Sequence, residues 1–389
     1  MRDIPRARAN PALLVWARES SFYSVQEAAR KIGVKSETLQ LWESGRLLPT
    51  MNQLRAIGRV YRRPSALFFA RDVPEKRPKI ADFRLLPGID RPDSPELEFE
   101  IRRAYERRDV VLDLARQSGD SIPVHSISAQ ASEKREVIAR RLREVLGISL
   151  ATQLAWHDER TALSAWIQAV ESLGVLVFQT SRVHTEQMRG FSIAEYPFPV
   201  IVLNGSDSVR GRVFTLIHEL VHLTLRTGGL CNLREGPDVS PLEILCNYVA
   251  GEVLVPRGAL LSQLHLLGHN DDPEWQDWEL TRLANRFMTS REVVLRRLLI
   301  LNKTTVEFYQ KKHEEYSRVV PRHESRGGPK YHIMVLRNNG IAYTGRILEA
   351  YRNNMISLSE LSRHLGGIRL NHIEPLENAL IRRREGVHP

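Results

Sequence analysis

The run from Phe214 to Leu225, Phe-Thr-Leu-Ile-His-Glu-Leu-Val-His-Leu-Thr-Leu, constrains this chain more than any other, because it sets His218, Glu219 and His222 in an otherwise apolar stretch. Apolar residues on every side mark a largely buried helix, and buried polar groups need partners. Four residues at about 100° each advance about 400°, so His218 and His222 stand one turn apart on one face and can share one ion. Two neutral imidazoles suit zinc. Glu219 beside them is placed to take a proton from water activated by the ion and to pass it to a leaving amine, the base role in metal-assisted peptide hydrolysis. The bland alternative is a helix that happens to carry two histidines and a surface glutamate.

A catalytic zinc, one per chain, takes a third protein ligand and leaves the fourth position to water. The candidates lie between Pro241 and Pro256, a helical run ended by proline. Glu243 opens that helix, and Glu252, nine residues on, is rotated by about 900° onto the opposite side, so only one of them can face the ion. Asn247, one turn after Glu243 on the same face, suits a group that orients the carboxylate or a histidine, which favours Glu243 and leaves Glu252 as the alternative. Cys246 reads as a small core residue rather than a soft ligand. Arg212, Tyr248 and His265 are candidates for stabilising charge in the transition state, with no position assignable from sequence.

With 389 residues the chain is long enough for two or three domains. No run of 18 uncharged apolar residues occurs, and two cysteines cannot build a disulfide framework, so the expectation is a cytoplasmic protein without a membrane partner. Residues 1–70 carry 12 basic and 5 acidic residues, a bias that suits a polyanion such as double-stranded DNA as readily as a merely soluble surface. Short helices are expected at 12–17, 25–32, 36–43 and 51–60, with Gly33 closing the second and Ser36 capping the third. That is helix-turn-helix spacing: Ala28, Ile32, Val34, Leu39 and Trp42 face a small core. Lys35, Ser36, Glu37, Thr38 and Gln40 project outward, and of these Lys35, Ser36, Thr38 and Gln40 are the candidate DNA contacts. Glu37 in the same row repels phosphate and fits a dimerisation or partner-docking module instead.

Five prolines between 71 and 97 mark an extended linker. From 98 the pattern turns helical, and strands are expected at 173–179, 188–194 and 198–204, ahead of the histidine helix. Residues 276–300 repeat the helix-turn-helix rhythm, with Ser290 capping the second helix. This unit reads as completing the 98–302 core or as a second DNA reader, with Arg296 and Arg297 available to phosphate. The remainder, 303–389, is expected to be an α/β extension of unknown role, with a polar loop at 321–330 and a strand at 331–336. The fold class is therefore multidomain and mainly α, with an α+β core resembling the zincins and an N-terminal all-α helix-turn-helix domain.

Two resemblances follow from these residues. Val25 to Gly45, with Trp42-Glu43-x-Gly45 and Pro49, resembles the Cro/repressor-type (XRE) helix-turn-helix, which implies action on two-fold DNA sites as a homodimer. Arg212, Phe214-Thr-Leu and His218-Glu219-Leu-x-His222, followed by Glu243-x-x-Cys-Asn247 and Ala250-Gly-Glu252-x-Leu-Val-Pro256, resemble the ImmA/IrrE metallopeptidases. That resemblance implies zinc ligation by His218, His222 and Glu243, with Glu219 as general base in a gluzincin-like arrangement. It also implies cytoplasmic cleavage of a repressor-type or antitoxin-type regulator. Fusions of this kind occur beside toxin genes, so the alternative is a regulator or antitoxin with a toxin partner, whose zincin-like domain is structural or ligand-sensing.

Overall fold

The computed structural model describes residues 5–74, 94–119, 127–227, 230–231, 240–269, 272–318 and 330–384. These divide into two compact units, one ending at Arg103 and the other running from Ala104 onward.

The first unit begins with four short helices, α1 (Pro11–Glu19), α2 (Val25–Ile32), α3 (Ser36–Glu43) and α4 (Met51–Val60). Local signals set their ends. Asn10 caps α1 ahead of Pro11, Ser24 with Glu27 and Thr50 with Gln53 form capping boxes on α2 and α4, and Gly33, at φ 83°, closes α2 in the left-handed region. Ser36 is not the cap of α3. The turn out of Gly33 leaves Lys35 extended in the capping position, where it makes no side-chain bond, and Ser36 is already the first helical residue. Leu14, Ala28, Leu39, Trp42, Leu54 and Phe68 fill the core, with Ile32 and Val34 packed against it. The expected linker ends earlier than 97, because helix α5 (Pro95–Ser118) starts at Pro95. Proline is tolerated in a first helical turn, where the missing N–H would have had no partner. Phe99, on that turn, packs against Tyr23, and Arg102 donates to the Tyr61 carbonyl, which is why the unit runs to Arg103. Residues 75–93, most of the expected linker, lie outside the described residues.

The second unit contains α6 (Arg135–Leu146), α7 (Leu150–Leu154), α8 (Glu159–Ser172), β1 (Leu176–Thr180), β2 (Gly190–Ile193), β3 (Val200–Asn204), α9 (Val209–Thr224), β4 (Leu230–Cys231), α10 (Pro241–Leu254) and α11 (Arg257–Leu267). The sheet order is β1-β3-β2-β4, with β1 parallel to β3 and β2 antiparallel to β3 and β4. Strands β1, β2 and β3 are buried along their length, as a sheet covered by helices requires. Helix α9 lies against α8, α10, β2 and β3, and α10 lies also against α6, so the histidine helix is the centre of the unit.

Helices α12 (Asp277–Phe287) and α13 (Arg291–Ile300) follow, with Ser290 capping α13. Val293, Val294, Leu295 and Leu298 of α13 are buried in the same core as α9 and α10, so α13 is not available to enter a DNA groove. Arg297 is buried too, bonded to the Val255 carbonyl and to Glu252, which withdraws it from the phosphate role.

The remaining helices are α14 (Val306–Arg318), α15 (Tyr331–Asn339), α16 (Ile341–Arg352), α17 (Leu358–His364) and α18 (Ile373–Arg384). The strand expected at 331–336 is helix, and the described part of the extension is all α rather than α/β. The Ile-Met-Val-Leu run favours a strand locally, but packing against β1 at helical spacing, which buries Val335, Leu336 and Asn339, overrides it. Gly340, at φ 76°, permits this junction: a Cβ there would lie 2.4 Å from the Val177 carbonyl oxygen. Glu171 of α8 then accepts from the backbone N–H groups of Ile341 and Ala342. The loop at 321–329 lies outside the described residues. Among the described residues no single helix is long and apolar enough to cross a membrane.

Candidate metal centre

Two caps aim the ligands. Ser208 accepts from Gly211 N–H to start α9, which carries the adjacent His218 and Glu219 and, one turn on, His222, all buried. Ser240, with Pro241 as the first helical residue, starts α10 by accepting from the Glu243 N–H, and this fixes Glu243 at the third helical position. Where α9 crosses α10, the three side chains converge.

His218 Nε2 and His222 Nε2 are 3.1 Å apart, His218 Nε2 lies 3.2 Å from Glu243 Oε2, and His222 Nε2 lies 3.0 Å from Glu243 Oε1. All three residues are buried, and they form the group of possible metal ligands found among the described residues. Tetrahedral zinc with bonds of about 2.0–2.1 Å holds its ligand atoms roughly 3.3 Å apart, so a single ion fits between these atoms with little adjustment. The donor chemistry agrees: two ring nitrogens facing each other in a dry site need a cation between them more than a shared proton.

Burial works against charge throughout the site. His218 is pushed below the ordinary imidazole pKa by its complete burial. His222 is held well above it, because Cys246 and Glu243 outweigh its burial. Hydrogen bonds from both histidines overcome the burial of Glu243 and keep its carboxyl well below the usual range. A carboxylate and two histidines that compete for protons here make a site ready for a divalent ion.

Glu219, fully buried, lies under the sheet. Gly190 of β2 lets the strand approach α9 this closely, because a Cβ there would sit 2.5 Å from Thr215 Cγ2, while meeting Glu219 Cγ at an ordinary 3.6 Å. Sequence reasoning did not single out this glycine, and only its position inside an expected strand hinted at a close approach. It also passed over Thr227. His222 Nδ1 lies 3.4 Å from Thr227 Oγ1 and 3.7 Å from Cys246 Sγ, contacts that orient the ring so that Nε2 faces His218 and Glu243. Asn247 is buried one turn from Glu243, but its Oδ1 meets no hydrogen-bond partner among the described residues, so the expected orienting contact to a ligand is not made by that atom.

Glu252 does not face the site. Its carboxylate bonds to Arg297 and accepts from the Arg257 N–H, as the opposite side of α10 demands. The three candidates for transition-state stabilisation have other engagements. Arg212 is buried and donates to Gln179 Oε1 at 2.7 Å, its pKa lowered to about 10 by burial; the Tyr248 hydroxyl donates to Glu136; and His265 is exposed on α11. In the first unit Lys35 and Gln40 are exposed and Ser36 and Thr38 half-buried, all on or beside α3.

Residues 170–299 match the family model of the IrrE N-terminal-like domain, Peptidase_M78. The match covers about a third of the chain and takes in the sheet, both ligand helices and the α12–α13 pair. It therefore agrees with the packing in assigning that pair to the peptidase-like core. No curated protein and no solved structure matches the chain.

Proposed function

We propose that this chain is a zinc-dependent metallo-endopeptidase of the ImmA/IrrE type that cleaves a regulatory protein of the repressor or antitoxin class. The observation that carries the reading is the convergence of His218, His222 and Glu243 within zinc-ligand spacing, with Glu219 adjacent on the same helix. A bound zinc supplies Lewis acidity, polarising the scissile carbonyl and acidifying water. Glu219 takes the proton of the attacking water and returns it to the leaving amine. A purely structural zinc prefers a fourth protein ligand and needs no general base, and the donor set here has three ligands and a buried glutamate. The basic first unit serves, in this reading, to hold the enzyme on double-stranded DNA as a homodimer, with Lys35, Ser36, Thr38 and Gln40 at the contact and the regulator, or a toxin bound to it, within reach.

The test starts with elemental analysis of the purified full chain beside His218→Ala, Glu243→Ala and Glu219→Gln. The wild type and Glu219→Gln are expected to hold about one zinc per chain, and the two ligand variants to lose it. New protein N-termini should then appear in cells expressing the wild type and be missing with Glu219→Gln. A wild type that takes up no zinc even when it is supplied would sink the proposal. Zinc without any Glu219-dependent cleavage would leave a regulator with a structural metal.

A further inference from the structure

In sheets with parallel strands, ligands gather beyond the carboxyl ends of those strands. Here β1 and β3 end at Thr180 and Asn204, α9 departs from that end, and α8 starts there before running back to the entry of β1. Beside the starts of these two helices lies a cavity of about 760 Å³, within the range that encloses small organic ligands. The metal site makes no use of it.

Its lining has two characters. Arg210 of α9 and Arg282 and Arg286 of α12 bring three guanidinium groups to it, and among the described residues no carboxylate lines it. Arg210 is locked: it bonds to Glu159 at 3.1 Å, to Asn285 Oδ1 at 2.8 Å and to the Thr289 carbonyl. Glu159 offsets that one charge. Arg286 is tethered through one nitrogen to the Leu154 carbonyl at 2.9 Å, and neither it nor the exposed Arg282 has an acidic partner among the described residues. Trp156, Met288 and Leu266 add apolar surface to the lining, Leu266 being 73% exposed, beside the polar His157, Gln263 and Asn285. Guanidinium forks match phosphate oxygens in pairs, and apolar side chains in the same cavity take a flat or aliphatic body.

We propose that this arginine-lined cavity binds a phosphorylated small molecule of about nucleotide size, with its phosphate on Arg282 and Arg286 and its ring or chain against Trp156 and Leu266. The assignment stands apart from the metal centre.

The experiment is calorimetric titration of the full chain with adenosine monophosphate, 1-palmitoyl glycerol phosphate, adenosine, inorganic phosphate and a short DNA duplex. Wild type, Arg282→Glu and Leu266→Glu are compared, both substitutions falling on exposed side chains that do not hold the fold. One of the two phosphate monoesters is expected to bind with Kd below about 100 µM, and which one distinguishes a nucleotide from a lipid-like ligand. Adenosine and inorganic phosphate, each half of the ligand, should bind at least about tenfold more weakly, and each variant should weaken the favoured monoester by about tenfold or more. The proposal is overturned if neither monoester binds, or if Arg282→Glu leaves the affinity unchanged. It is equally overturned if only the duplex responds to Arg282→Glu, which would make this face a nucleic-acid surface.

Discussion

Replacing Gly190 by alanine tests whether the sheet presses on the helix that carries Glu219. The added methyl would lie 2.5 Å from Thr215 Cγ2 and 3.1 Å from the Val202 carbonyl oxygen. Carbon atoms rest at about 3.5–4.0 Å, so β2 and α9 must separate by about 1 Å or Thr215 must leave its rotamer. Thr215 is fully buried and sits mid-helix, which closes the second route. Overpacking of this kind costs about 1–3 kcal/mol, or a fall in Tm of roughly 2–10 °C for a unit of this size. Thr215→Ser removes the clashing methyl and by itself should cost about 1 kcal/mol. If the contact is what matters, the double variant is more stable than the sum of the singles predicts by at least about 1 kcal/mol, read from guanidinium unfolding of the four proteins. The same 1 Å shift moves Glu219, and a misplacement of that size lowers turnover by about 10²-fold while zinc content is kept. Strict additivity of the two substitutions, or a neutral Gly190→Ala, would refute the reasoning and free β2 from any role in placing Glu219.

Two further outcomes follow from the same structure. Glu252→Gln should keep its zinc, because Glu252 faces Arg297 rather than the metal centre, yet lose about 3 kcal/mol by leaving that arginine buried with its partner neutralised; loss of zinc in this variant would reinstate it as a ligand. His269 stacks on Trp275 and bonds to Glu279 and the Asp272 carbonyl, and although burial opposes its charge these partners raise its pKa above the ordinary 6.5. Its contribution is therefore complete below about pH 6.5 and fades as pH rises through the folded value. Melting temperature should fall more between pH 6 and pH 8 in the wild type than in His269→Gln, and parallel curves would show that the imidazole does not tie this loop.

The candidate triad was legible because each piece of it is local. His218 and His222 need only one helical turn, and Glu243 is fixed by Ser240 and Pro241, a cap and a first-turn proline that can be read along the chain. The first unit was readable for the same reason: Ser24 with Glu27, Gly33, and Thr50 with Gln53 state the helix ends in the residues themselves. The misreadings arise where tertiary contact outvotes local preference. Nothing between Tyr331 and Leu336 announces that β1 offers a surface on which a helix buries Val335 and Leu336 better than a strand would.

Geometry that depends on two distant segments meeting was not legible at all. Gly190 reads as an ordinary strand residue until α9, some 25 positions later, brings Thr215 and Glu219 against it. Arg282 and Arg286 were not singled out within the helix-turn-helix rhythm of 276–300, and nothing in their local sequence announces that α12 borders a cavity. In both cases the residue types are common and only the approach gives them meaning. The candidate metal ligands differ because their chemistry is rare in an apolar helix. A residue out of place in its local setting declares itself in the sequence, whereas one that looks ordinary there acquires a role only when the fold supplies its neighbour.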